Sequence, residues 1–237
     1  MTLAAAAEGI AEAIEDFIYP HLCSTCSGSL SRHERYVCSR CWDSFDRVVP
    51  TETIIQAIES KFLVDEAVDL VDSVFLFEQD PRVRMAVHLL KYDGAEAIAD
   101  KFGVYISKKI AGDERLSTCS VIAPVPLHPV RQRERGYNQS DLIARSVGRN
   151  LEIDNLPNLL IRTRQTQSQT LFDAEGRSRN IHGAFAIGPE FHKRICGVRV
   201  LLIDDVITTG STIKECASTL RQGGASGVCA ASAAITV

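Results

Sequence analysis

Thirteen consecutive residues constrain this chain more than any other feature: Val200-Leu201-Leu202-Ile203-Asp204-Asp205-Val206-Ile207-Thr208-Thr209-Gly210-Ser211-Thr212. The apolar run from Val198 to Ile203 reads as a buried parallel strand, and it delivers two adjacent carboxylates to the carboxyl end of a sheet. Open α/β folds bind their ligands at that end. The Thr, Gly and Ser residues then lead directly into a helix. Exposed backbone N–H groups and small hydroxylated side chains there make a site for a phosphate dianion, and Gly210 permits close backbone approach. An N-capped helix behind a buried strand would explain Thr208 to Thr212 but not the paired aspartates, which are costly without a partner. Those carboxylates would repel a phosphate they touched, so they face something else. Ribose hydroxyls, with a Mg²⁺ ion shared with a pyrophosphate, satisfy that requirement, and the combination points to a sugar phosphate.

The surrounding pattern agrees with an α/β domain built on a mainly parallel sheet. Val121 to Val125 and Gly227 to Ile235 read as further strands, and Gln139 to Arg149 and Thr212 to Gln222 as helices. Between residues 51 and about 115 the pattern is helical, apart from a strand candidate at Val71 to Phe77. Within it, Val83 to Leu90 and Ala95 to Ile110 carry helical spacing around the turn signal Asp93-Gly94. The Arg-rich stretch after Val125 reads as a loop. Arg162 to Asn180 is polar and long enough to be either a mobile lid or a plain surface loop. Other phosphate motifs fail: no GxxxxGK[ST] is present, and Gly223-Gly224 follows a helix and so cannot open a dinucleotide fold.

Residues 1–50 have a different character. Cys23-Ser24-Thr25-Cys26 and Cys38-Ser39-Arg40-Cys41 form two CxxC knuckles with eleven residues between them. Each presents two thiolates from one tight turn, so Cys23, Cys26, Cys38 and Cys41 make a tetrahedral set for a structural zinc. Iron–sulfur ligation by four cysteines is the alternative. Tyr36 and Trp42 are candidates for the apolar shell, while His21 and His33 read as exposed. The other four cysteines, Cys119, Cys196, Cys216 and Cys229, lie in or beside apolar segments and are expected to be buried free thiols. Upstream, Ile10, Ile14, Phe17 and Ile18 fit one face of a helix ending before Pro20. The stretch has no basic leader, and Glu8 and Glu12 interrupt it, which argues against a secretory signal.

A net charge of −4 argues against a wholly basic nucleic-acid binder, although arginines cluster between Arg131 and Arg194 and leave room for a local basic groove. No run approaches the ~20 apolar residues of a membrane span. A cytoplasmic protein, not integral to a membrane, is expected.

The thirteen residues match, at every position, the signature by which type I phosphoribosyltransferases bind 5-phosphoribosyl-1-pyrophosphate (PRPP). Four further pieces resemble the ComF/GntX family of bacterial competence-related proteins: Leu90 to Gly94 (LKYDG), Val125 to Gln139 (VPLHPVRQRERGYNQ), the Gln/Arg-rich segment with Arg177 and Asn180, and the paired CxxC. The resemblance spans nearly the whole chain in order. It implies a type I phosphoribosyltransferase fold over residues 51–237, behind an N-terminal helix and four-cysteine zinc ribbon over residues 1–50. By the same resemblance, Asp204 and Asp205 are the catalytic pair that contacts the ribose hydroxyls, with Mg²⁺ bound alongside PRPP. Thr208, Thr209, Gly210, Ser211 and Thr212 hold the 5′-phosphate, and Val125, Pro126, Leu127 and His128 form the pyrophosphate loop. Lys91, Arg131, Arg133 and Arg135 are the cations placed to offset pyrophosphate charge, Lys91 and Arg135 at family-typical positions and Arg131 and Arg133 with solvated surface charges as the alternative; Arg164 and Arg177 of the polar segment are further substrate-binding candidates.

The implied reaction is transfer of a phosphoribosyl group to an acceptor that the residues do not identify, in a protein of natural competence and DNA uptake. The alternative is a non-catalytic PRPP sensor, or a single-stranded DNA-binding protein of transformation whose cleft of Arg131, Arg133, Arg135, Arg162, Arg164 and Arg177 tracks a phosphate backbone beside Tyr137 and Phe172, which stack a base. In a third reading, the zinc domain docks a DNA-translocation partner.

Overall fold

The computed structural model describes residues 21–49, 51–62, 67–92, 96–163 and 183–237. The helix expected before Pro20, the Asp93-Gly94 turn, and Arg164 and Arg177 of the polar segment lie outside the described residues. The chain divides into two compact units, Met1–Phe45 and Asp46–Val237, against a boundary expected near residue 50.

The first unit is built from tight turns. Cys23 N–H donates to the Gly28 carbonyl and Ser27 N–H to the Cys23 carbonyl, each at 2.8 Å, and this closes the first knuckle. The second knuckle leads into a short helix, α1 (Ser39–Asp43). The Glu34 carboxylate accepts from the N–H of Ser31 at 2.8 Å and of Ser39 at 2.6 Å, clipping the loop between them. These two backbone donors hold the carboxyl down at about 2. Val37, Trp42 and Phe45 are buried, with the Trp42 and Phe45 rings 5.0 Å apart. Tyr36 is half-buried, and His21 and His33 are exposed.

The second unit runs α2 (Glu52–Phe62), β1 (Leu70–Leu76), α3 (Pro81–Tyr92), α4 (Glu96–Ala111), α5 (Glu114–Ser117), β2 (Val121–Pro124), α6 (Pro129–Arg135), α7 (Gln139–Leu151), β3 (Asp154–Asn155), β4 (Leu160–Arg162), β5 (Phe185–Ile187), β6 (Arg199–Ile207), α8 (Ser211–Gln222) and β7 (Gly227–Ile235). Five strands form one sheet in the order β1-β7-β6-β2-β3, and every neighbouring pair is parallel. The fold is thus a mainly parallel sheet flanked by helices. A separate antiparallel pair, β4 with β5, lies beside α8. Among the described residues, no helix is long and apolar enough to cross a membrane.

Burial explains the order. All nine residues of β7 are buried, and six of them are Ala, Ser or Gly, so this strand suits the sheet centre between β1 and β6. Val200 and Leu202 of β6 share a core with Ile213, Cys216, Ala217 and Leu220 of α8. Helices α4 and α7 pack on one another and on the sheet. Their approach is so close that a Cβ on Gly103 would lie 2.3 Å from the Ser146 Cβ.

Three expectations differ from the structure. The Arg-rich stretch after Val125 is helix α6 rather than a loop. His128 Nδ1 accepts the Val130 N–H at 3.2 Å, Pro129 starts the helix, and Gly136 closes it. Strand β6 continues through both aspartates to Ile207, because β7 pairs with it as far as Ile207 opposite Ile235. Cys196 is exposed in the turn before β6, whereas Cys119, Cys216 and Cys229 are buried free thiols.

Candidate functional site

Strand β2 is followed by a connection to β3 on one side, and its neighbour β6 by a connection to β7 on the other. Right-handed crossovers in opposite directions open a crevice at the carboxyl ends of two such strands. A cavity of about 510 Å³ lies there. Its lining includes Lys91, Val125, Pro126, Leu127, His128, Arg131, Arg135, Asp204, Asp205, Thr208 and Thr212, all singled out in the sequence. Arg133 is exposed and is not among the lining residues, since α6 turns Arg131 and Arg135, four apart, onto one face. Thr209, Gly210 and Ser211 continue the turn between the two lining threonines.

The two aspartates have different surroundings. Asp204 Oδ1 accepts from the Ser140 hydroxyl and from the Asp205 N–H, each at 2.9 Å. Burial, and then the charge of Asp205, push the Asp204 carboxyl up to about 8, and the Ser140 hydroxyl and Lys91 only partly oppose this. Asp205 Oδ1 accepts from the Val206 N–H at 2.8 Å, while its Oδ2 lies 3.0 Å from Lys91 Nζ. One carboxylate is therefore paired with a cation, and the other is held close to its neutral form.

The turn that follows is anchored from behind. Lys61 Nζ donates to the Thr208 carbonyl at 2.8 Å and to Thr236 Oγ1 at 3.1 Å, and the Thr236 hydroxyl donates to the same Thr208 carbonyl at 3.2 Å. Burial lowers the Lys61 ammonium below its ordinary value. Gly210 adopts φ +76°, and a Cβ there would meet the Phe62 ring at 2.7 Å, so only glycine suits the position. Gly210, at the N-cap of α8, has no capping side chain, and Thr209 Oγ1 accepts the Ser211 N–H at a long 3.4 Å, so the first turn can direct N–H groups toward a ligand. Thr209 Oγ1 and Ser211 Oγ lie 3.0 Å apart.

Residues 136–140 (GYNQS) assemble the rest. Gly136 ends α6. The Tyr137 hydroxyl donates to the Leu90 carbonyl at 2.7 Å, fixing the end of α3 that carries Lys91. Asn138 donates through Nδ2 to the Val125 carbonyl at 2.9 Å and caps α7 by accepting the Ser140 N–H at 3.1 Å. Ser140 then reaches Asp204. Lys61, Asn138, Gln139 and Ser140 are not singled out as site residues in the sequence, whereas Arg162, a candidate for the basic DNA-binding cleft, does line the cavity. Lys61 and Ser140 act through partners remote in the chain, and the one advance signal for Asn138, Gln139 and Ser140 is their place in or beside the GYNQ motif. Burial lowers the Arg162 guanidinium below its ordinary value, and the like charge of Arg131 adds to this.

In the first unit, the Sγ atoms of Cys23, Cys26, Cys38 and Cys41 all lie within 4.8 Å of one another. The Cys23–Cys41 and Cys26–Cys38 separations are both 3.8 Å, too long for a disulfide. The N–H groups of Thr25 and Cys38 donate to Cys23 Sγ at 3.4 and 3.3 Å. Burial raises the Cys23 thiol, but backbone donors from Cys38, Cys26 and Thr25 outweigh it and bring the group to about 6. Cys41 is raised, by burial first and then by its sulfur neighbours. The cluster can hold a metal ion.

No family model matches the chain. Competence protein F of Haemophilus influenzae is 42% identical over 113 residues, 46% of this chain and 48% of that protein, so the match spans about half of that relative. The DNA utilization protein YhgH of Salmonella typhimurium is 30% identical over 158 residues, 65% of this chain and 68% of that protein. Among solved structures, a glutamine PRPP amidotransferase from B. subtilis gives a TM-score of 0.40 at 18% identity, covering 61% of this chain and 30% of that one. On the sequence relationship to these curated proteins, the chain belongs to the ComF/GntX family.

Proposed function

We propose that the cavity binds PRPP with Mg²⁺ and that the chain transfers the phosphoribosyl group to a nitrogen acceptor, releasing pyrophosphate. The observation that carries this reading is the pairing of Asp204 and Asp205 at the cavity with a turn, Thr208–Thr212, that opens helix α8 with a glycine at its N-cap. The turn's N–H groups take the 5′-phosphate, and the aspartates take the ribose hydroxyls. Two carboxylates are hard oxygen donors, a set that fits Mg²⁺. Bound with the pyrophosphate, the metal neutralises charge on the leaving group. Lys91, Arg131 and Arg135 orient that group from the facing side, and Phe77, Val125, Leu127 and Val206 supply apolar wall. The C1–O bond to pyrophosphate breaks with its electron pair leaving on oxygen, and a C1–N bond forms.

The four-cysteine cluster fits zinc. A tetrahedron with Zn–S bonds of about 2.3 Å has edges of about 3.8 Å; the Cys23–Cys41 and Cys26–Cys38 edges are 3.8 Å, and all four Sγ atoms lie within 4.8 Å of one another. Four sulfurs this close together suit one ion better than a cluster of two or more irons. With four protein ligands the metal is structural.

Relatives are named for competence and for DNA utilization, and we carry that setting to this chain. Pyrophosphate release across a panel of bases, amines and oligonucleotides, after titration with Mg²⁺ and PRPP, tests the enzyme reading. Binding of PRPP without release for any acceptor would make the protein a sensor.

One observation favours single-stranded DNA as a second ligand. Tyr92 is 62% exposed, with the Arg135 guanidinium 5.0 Å from its ring centroid, a platform suited to stacking a base beside a cationic cavity. Tyr137 is committed to the Leu90 carbonyl, and Phe172 lies outside the described residues. Affinity for single strands that falls steeply with salt and is lost in Tyr92→Ala supports this; a flat salt response contradicts it.

A further inference from the structure

Gln139 is the first residue of α7 and lines the cavity, yet it is only 2% exposed. Its Nε2 is buried and has no hydrogen-bond partner among the described residues. Leaving a buried amide unpaired is unfavourable, and Leu or Met at this position would avoid that cost. A polar group placed at a cavity wall against its own stability suits a partner that arrives from outside.

The neighbouring residue identifies the chemistry of that partner. Gln139 directly precedes Ser140, whose hydroxyl holds Asp204, and all three line the same cavity with Asp205. An anion there would be repelled by Asp204 and Asp205. A sugar hydroxyl is both donor and acceptor: it hydrogen-bonds the Asp204 carboxyl through its O–H and keeps lone pairs for an N–H. We infer that the Gln139 carboxamide donates to a ribose hydroxyl oxygen of the ligand that Asp204 holds, making Gln139 a sugar-recognition residue of this site. The inference rests on the PRPP reading proposed above, and deepens it by adding a group that accounts for the second face of the hydroxyl.

The test compares the intact chain with Gln139→Met and Gln139→Leu, using calorimetric titration with Mg²⁺ and PRPP and thermal melting without ligand. Both replacements remove the orphaned amide at similar volume. The expected result is an unchanged or higher melting temperature together with PRPP affinity weakened about tenfold or more, the loss of one hydrogen bond to a buried partner. A merely structural Gln139 would give the reverse: a lower melting temperature and an affinity within about twofold of the parent. Affinity within that range in whichever variant folds overturns the inference while leaving the PRPP reading intact. Absence of PRPP binding by the parent chain overturns both.

Discussion

Lys91 Nζ and Asp205 Oδ2 stand 3.0 Å apart at the cavity, with side chains 25% and 14% exposed. The ion pair lets two adjacent carboxylates share one sheet end without a ligand, and it places a cation where pyrophosphate charge is to be met. Lys91→Met leaves Asp205 uncompensated. The chain is expected to lose about 2 kcal/mol in urea unfolding and about tenfold or more in PRPP affinity by calorimetry.

Asp204 makes the free protein sensitive to pH. Its folded value, about 8, is raised above the ordinary 3.8. The stability it contributes is therefore fully present below about pH 4 and is lost as the pH rises through about 8. Thermal melting of the ligand-free chain should show a decline across that window. Asp204→Asn removes the titrating group, so its melting temperature should exceed the parent's above pH 8 while PRPP binding is lost. A parent slope retained in the variant would assign the titration to another group.

Much of this site was legible because its signals are local. The apolar run of β6, the adjacent aspartates and the Thr-Gly-Ser turn lie within one continuous stretch, as do the two CxxC knuckles. What was missed depends on distant contacts. Helix α6 follows from a His128 cap and a Pro129 start inside a stretch whose charge suggested a loop. Strand β3 has two residues, too few for a period. The placement of β7 between β1 and β6 is a packing outcome of small buried side chains. Ser140 reads as an ordinary first-turn serine until the fold brings Asp204, 64 residues away, to its hydroxyl.

Gly210 is constrained twice, by φ +76° and by the Phe62 ring 2.7 Å from where a Cβ would stand. Gly210→Ala should cost about 2 kcal/mol or more and weaken PRPP binding by shifting the phosphate turn. Adding Phe62→Leu should relieve the contact but not the backbone strain, so recovery is partial. Full recovery in the double variant would show that φ contributes nothing.

At the α4–α7 crossing, the Gly103 Cα faces Ser146 with no room for a methyl group. Gly103→Ala should lower stability by about 1–3 kcal/mol in urea, and Gly103→Val by more, with no direct effect on the cavity chemistry of the folded fraction. An alanine variant as stable as the parent would mean that the two helices separate freely.

For the metal centre, protein purified without chelators should carry one zinc per chain by native mass spectrometry. Cys23→Ser with Cys38→Ser should abolish it, because two ligands remain. Chelation should make all four knuckle thiols reactive toward a thiol reagent, with slow reaction before it. Reaction at the same rate with and without chelator would rule out a bound metal.

The most direct measurement is a crystal structure of the chain with Mg²⁺ and PRPP. The account predicts the 5′-phosphate against the backbone amides of Thr208 to Thr212 and the ribose hydroxyls on Asp204 and Asp205. Density for PRPP elsewhere, or an ordered cavity without it at saturating ligand, would contradict the account.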